Sequence, residues 1–215
     1  NIVLIDEINR APAKTQSALF EVMEERNITV DGSTYILDSP FMVIATQNPV
    51  EHEGTYQLPE AQLDRFIFKL IVNYPDKTQE LEILNRHHQQ FSLHQMVETV
   101  QKTLDVSRLN YLREIVQKVS IEQNLLEFIV SIIQQSRIHR GLSLGASPRA
   151  SISILNASKS LAALRGRDFV TPEDIIYVAV PALRHRLSLN AEKEMDGTIT
   201  DDIINDIIQG IEIPR

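Results

Sequence analysis

The order of apolar and polar positions changes character near residue 75. Before it, short apolar runs alternate with amphipathic stretches. Ile2-Val3-Leu4-Ile5 is wholly apolar and mostly β-branched, which predicts a strand buried on both faces. A helix is predicted over roughly 13–25, with Ala18, Leu19, Val22 and Met23 on its apolar side and Lys14, Gln16, Glu21 and Glu24 elsewhere. Residues 27–37 read as a hairpin: β-forming residues flank Asp31-Gly32, a strong turn pair. Phe41-Met42-Val43-Ile44-Ala45 predicts a second buried strand, and 66–72 a third. Strand, helix, hairpin, strand, loop, strand is an α/β pattern.

After Pro75-Asp76 the spacing turns helical. Helices are predicted over 78–90, 106–119, 121–137, 148–164, from 172 onward and near 200–209. Leu125, Leu126, Ile129, Ile132 and Ile133 sit at helical spacing, and the Ile/Leu stripes across 121–187 read as core. Thr171, Pro172 and Asp174 form a helix start, and Pro181 is expected to kink or break that helix. This organisation predicts an α/β region over 1–74 followed by an all-α region over 75–215, mostly helical overall.

Composition narrows the classes. Hydrophobic residues make up 43% of 215, enough for a packed core. No run approaches the ~20 apolar residues of a membrane helix, and the chain enters Ile2–Ile5 with no signal-peptide pattern. Cysteine is absent, which excludes disulfides and thiolate metal sites. These features predict a cytoplasmic protein with no membrane partner. The net charge is −8, and no basic stripe occurs, so broad nucleic-acid binding is not expected.

Four motifs carry candidate chemistry. Asp6-Glu7 places two carboxylates where a buried strand ends, the side of an α/β sheet on which ligands collect. An apolar run ending in Asp-Glu is a Walker B arrangement: Asp6 would hold Mg²⁺, usually through water, and Glu7 would polarise an attacking water. Asn48, in Ala45-Thr46-Gln47-Asn48-Pro49, could orient that water; the plainer alternative is a turn before Pro49. Arg65 enters the third predicted strand and could be offered to a neighbouring subunit's phosphate, or simply pair with Asp64 or Glu60. Arg149 follows the N-cap residue Ser147 and Pro148. A cation in a first helical turn opposes the helix dipole, but beside free N–H groups it suits an anion, with Arg137 and Arg140 able to add to the field.

In order and spacing these motifs resemble the MoxR family of AAA+ ATPases. The likeness rests on Asp6-Glu7-Ile8-Asn9-Arg10-Ala11-Pro12, on Ala45-Thr46-Gln47-Asn48-Pro49, on the run from Glu53 to Phe66, and on Gly145-Ala146-Ser147-Pro148-Arg149-Ala150 with His185-Arg186 later. It implies a remnant of a AAA+ P-loop NTPase core followed by a helical lid. It further implies Asp6 and Glu7 as Walker B, Asn48 as sensor 1, Arg65 as arginine finger and Arg149 as sensor 2, with ATP and Mg²⁺ as cofactors. The 27–37 hairpin looks like the pre-sensor-1 hairpin of the clade that includes MCM helicases. The family implies a ring-forming, chaperone-like remodelling ATPase, expected to be a hexamer, working on protein clients and with von Willebrand factor A domain proteins. The alternatives are an MCM-like nucleic-acid motor and a non-catalytic interaction module.

The chain departs from the family in one respect. It contains no Gly-x-x-x-x-Gly-Lys-Ser/Thr loop, so weak or no ATP binding by this chain alone is expected. AAA+ sheets resemble a 5-1-4-3-2 order, and the strands here would be 3, 4 and 5. Strand 5 should then pair directly with 4, peel away, or borrow a strand from another copy. His87, His88 and His94 read as a solvated helix face, because adjacent histidines point about 100° apart. Glu51-His52-Glu53 reads as a polar loop.

Overall fold

A computed structural model describes residues 2–48, 58–89, 97 and 99–214. Glu51-His52-Glu53, His94 and positions 53–57 of the family-like run lie outside the described residues. The chain divides into two units, Asn1–Lys69 with Arg113–Arg215, and Leu70–Leu112.

In the first unit, β1 (Ile2–Ile5) runs parallel to β4 (Met42–Ala45), in register from Ile2–Met42 to Ile5–Ala45. A 3₁₀ turn (Ile8–Arg10) and α1 (Ala13–Glu25) follow β1. The expected hairpin forms: β2 (Asn27–Val30) pairs antiparallel with β3 (Ser33–Ile36). Asp31 and Gly32 take φ of 50° and 77°, the left-handed pair that a two-residue turn demands.

Three expectations are corrected here. Neither β1 nor β4 is buried on both faces: Ile2, Leu4, Met42 and Ile44 are exposed, because the sheet has two strands and among the described residues nothing covers them. The third strand, 66–72, does not form. Its backbone is taken up elsewhere: the Phe66 carbonyl meets His185 Nε2 at 2.9 Å, and the Lys69 N–H donates to the Pro181 carbonyl at 2.9 Å. Of the three alternatives for strand 5, direct pairing with β4 does not occur among the described residues: β4 pairs with β1 only. Gln16, placed on the polar side of α1, is buried together with Phe20 one turn on. Phe20 packs edge-on against Phe66, ring centres 6.1 Å apart, in a small cluster with Ile8 and Leu58.

The helical part of this unit holds the main core. α5 (Gln123–Ile138), α6 (Pro148–Leu164), α7 (Pro172–Leu183) and α9 (Thr200–Gln209) bury Ile129, Ile132, Ile133, Ile154, Ile175, Val178, Ile203 and Ile204 among others. The apolar stripes of 121–187 are core, as expected. A two-stranded ribbon, β5 (Leu142–Leu144) with β6 (Ser188–Leu189), and the short helices α2 (Glu60–Leu63) and α8 (Ala191–Met195) complete it. Of the expected kink or break at Pro181, the break does not occur: α7 runs through Pro181 to Leu183, although the proline has no N–H to give the Tyr177 carbonyl one turn earlier.

Asp174 starts α7 as a buried anchor. It accepts the Thr171 N–H at 3.0 Å and guanidinium bonds from Arg165 at 2.9 Å and Arg167 at 2.6 Å. Burial pushes its carboxyl up, but the hydrogen bonds from Arg167 and Thr171 and the charge of Arg167 together outweigh burial and leave it below the ordinary range.

The second unit contains α3 (Lys77–His88). Asp76 caps it, accepting from Thr78 N at 2.8 Å and Gln79 N at 2.9 Å, while Gln79 Oε1 accepts the Asp76 N–H at 3.0 Å. His87 and His88 are exposed in its last turn. α4 (Val106–Lys118) begins in this unit.

Candidate functional site

The tips of the parallel strands bring Asp6, Glu7 and Asn48 together. Glu7 sits in the left-handed region, φ 50° and ψ 53°, a conformation that costs a non-glycine residue energy and needs support from its surroundings. That support is Thr46: its hydroxyl accepts the Glu7 N–H at 2.9 Å and donates to Asp6 Oδ1 at 2.5 Å. Backbone bonds from Ile8 N to Thr46 O (3.0 Å) and from Thr46 N to Ile5 O (2.9 Å) continue the strand pairing into the tip. Asn48 Nδ2 donates to Glu7 Oε1 at 3.3 Å, and Arg10 Nε pairs with Glu7 Oε2 at 2.9 Å. From below, the buried Gln16 amide donates to the carbonyls of Ile8 (3.2 Å) and Ala11 (3.1 Å), tying the 3₁₀ turn to α1.

Chemically this tip combines a carboxylate held by a hydroxyl, a second carboxylate oriented by an amide, and hard oxygen donors at an exposed strand end. It can receive a divalent cation at Asp6 and a water at Glu7.

Arg65 and Arg149 are not at this tip. Both converge on Glu24, near the end of α1. Arg149 Nη2 meets Glu24 Oε1 at 2.7 Å, and Arg65 Nη1 pairs with Glu24 Oε2 while also donating to the Phe20 carbonyl at 3.1 Å. The Arg65 partner is therefore neither Asp64 nor Glu60. Ser147 caps α6 by accepting the Arg149 N–H at 3.1 Å and donates its hydroxyl to Asp64 Oδ2 at 2.8 Å. Arg137 has a bracing role: its Nε donates to the Ala146 carbonyl at 2.9 Å, fixing the loop that ends in Ser147.

The His185-Arg186 pair joins the helical part to the 64–67 segment. Arg186 is 5% exposed. It donates to Asp64 Oδ1 (2.8 Å), the carbonyls of Asp64 (2.9 Å), Phe66 (2.7 Å) and Ala182 (2.5 Å), and Ser153 Oγ (3.0 Å). Burial lowers its pKa, opposed by the hydrogen bond to Asp64. His185 donates through Nε2 to Phe66 O, and its Nδ1 is buried without a partner. Burial is the main cause that pushes its pKa down, to about 4.

Thr46, Gln16 and Glu24 did not stand out in the sequence. Thr46 was within reach of inference, since it lies one register step past Ala45 opposite Asp6. Among the described residues no group of three or more His, Asp or Glu side chains suited to a metal ion occurs, so at the tip the protein itself would supply a cation with Asp6 and Glu7 only.

A parallel strand pair with Asp-Glu at one tip, followed by a helical lid bonded to the 64–67 segment and to Glu24, is the architecture of a AAA+ ATPase core remnant and lid. Residues 1–68 match the model of the ATPase family associated with various cellular activities, and residues 134–207 match the AAA lid domain. The chain is 45% identical, over its whole length, to the uncharacterised protein YeaC of Bacillus subtilis, and 42% identical to chaperone MoxR1 of Mycobacterium tuberculosis. It spans 66% and 58% of the lengths of these two relatives. A crystal structure of a proposed ATPase from Cytophaga hutchinsonii superposes over the whole chain with a TM-score of 0.91 at 41% identity, and the match covers 67% of that chain. The chain belongs to the MoxR family of AAA+ ATPases.

Proposed function

We propose that this chain is the Walker B, sensor and lid portion of an ATP-hydrolysing remodelling motor. The Asp6–Glu7–Thr46–Asn48 constellation carries the reading. Asp6, steadied by Thr46, would hold Mg²⁺, which would neutralise charge on the transferring phosphate. Glu7 takes the proton of the attacking water, and Asn48 keeps its carboxylate turned toward that water. Arg65 and Arg149 serve as arginine finger and sensor 2, supported by their partial exposure and their shared place on an anion-sized carboxylate. The motor works as a ring, in our reading a cytoplasmic hexamer, remodelling protein clients together with von Willebrand factor A domain proteins.

Two measurements test this. In the longer protein that carries a phosphate loop, Glu7→Gln should lower ATP turnover by about 10²- to 10⁴-fold while leaving ATP binding intact; unchanged turnover would refute the role of Glu7. The 215-residue chain alone has no such loop and should bind ATP weakly or not at all. Micromolar affinity in a nucleotide titration would contradict that part.

A further inference from the structure

The C-terminal end of α1 and the first turn of α6 border a pocket of about 270 Å³ lined by Glu24, Asp64, Arg65, Arg149 and Arg186. Asp64 is fully engaged by Arg186 and Ser147, and Arg186 is turned inward. Facing the pocket are two guanidinium groups, Arg65 and Arg149, with Glu24 between them. Each Glu24 oxygen meets a different arginine, Oε1 with Arg149 at 2.7 Å and Oε2 with Arg65. A carboxylate bridging two guanidinium groups through separate oxygens presents what two oxygens of one phosphate would present. Arg65 Nε is buried and without a partner, so this site has donor capacity that Glu24 does not use.

We propose that Glu24 is an internal stand-in for phosphate. It occupies the anion site formed by Arg65 and Arg149, holds both arginines in place, and must turn out into solvent before a phosphate oxygen can enter. Its side chain is 44% exposed, so leaving costs only the energy of exposed ion pairs. The inference rests on the reading of Arg65 and Arg149 as phosphate-facing groups and adds the competitor that sets when they are available.

The test is calorimetric titration of the 215-residue chain with inorganic tripolyphosphate, which has no base or sugar, in metal-free buffer of low ionic strength. Glu24→Gln should bind roughly five- to tenfold more tightly than the unaltered chain. Glu21→Gln, the same charge change one turn earlier on α1, should shift binding less than about twofold. Adding Arg149→Ala to Glu24→Gln should remove the gain. Binding by Glu24→Gln equal to or weaker than that of the unaltered chain, with Arg65→Ala and Arg149→Ala still weakening it, would overturn the proposal and leave the phosphate reading standing. Binding with no dependence on either arginine would overturn both; no binding in any variant would overturn the proposal alone, because the chain has no phosphate loop. Circular dichroism checks each fold. Should Glu24→Gln unfold, Glu24→Asp keeps the charge but is too short to bridge both arginines, so it must also bind more tightly; equal binding would overturn the proposal.

Discussion

His185 makes the clasp between the helical part and the 64–67 segment sensitive to pH. Its Nε2 donates to the Phe66 carbonyl, so a second proton must go to Nδ1, which is buried and faces no acceptor. Burial opposes a positive ring most, Arg186 and Lys69 add to it, and the Phe66 bond and the Asp64 charge offset them only in part. The folded pKa is about 4 against 6.5 in the unfolded chain. Between these values the unfolded chain binds more protons, so the contribution is fully present above about pH 6.5 and is lost as pH falls towards 4. From pH 7 to pH 5 the loss comes to about 2 kcal/mol for this one group. Other groups titrate as well, so the comparison needs His185→Gln, which keeps an amide donor for Phe66 and does not titrate. Urea unfolding followed by circular dichroism at pH 7 and pH 5 gives four unfolding energies. The unaltered chain should lose about 2 kcal/mol more than the variant. Parallel losses, within about 0.5 kcal/mol, would refute the buried neutral imidazole.

Three further outcomes follow from the same contacts. Arg186→Ala should destabilise the first unit by about 3–5 kcal/mol in urea unfolding, because it takes this buried partner from the Asp64 carboxylate and four carbonyls. Asp174→Asn should cost about 2–3 kcal/mol by weakening the bonds to Arg165 and Arg167 at the start of α7, read as a lower urea midpoint. Gly145→Ala should cost about 1–3 kcal/mol in thermal unfolding, since a Cβ there would lie 2.6 Å from Arg137 Cα and 2.8 Å from Ser136 O.

What could be read from the chain was what depends on local pattern. The hairpin at Asp31-Gly32, the cap at Ser147 and the stripe from Leu125 to Ile133 each lie within a few residues, and each forms as expected. The Asp6-Glu7 tip was legible because a short apolar run leads straight into two acids. Partnership at long range was not legible. Residues 66–72 have every local feature of a strand, but a strand needs a neighbour, and Phe66 and Lys69 instead meet residues 181–186 more than a hundred positions away. Glu24 looked like one more solvated acid on a helix; only the fold brings Arg65 and Arg149 to it. Gln16 looked polar and outward because nothing local reveals that the carbonyls of Ile8 and Ala11 turn back toward it.

The central claim is that Glu7 and Arg65 serve one reaction from different subunits. Within one chain Glu7 is bonded to Asn48 and Arg10, and Arg65 to Glu24. In the longer, phosphate-loop-containing protein, Glu7→Gln and Arg65→Ala should each abolish ATP turnover. Mixing the two inactive proteins should restore a clear fraction of the activity, because some interfaces then combine an intact Glu7 with an intact Arg65. A mixture no more active than its separate components would contradict the account.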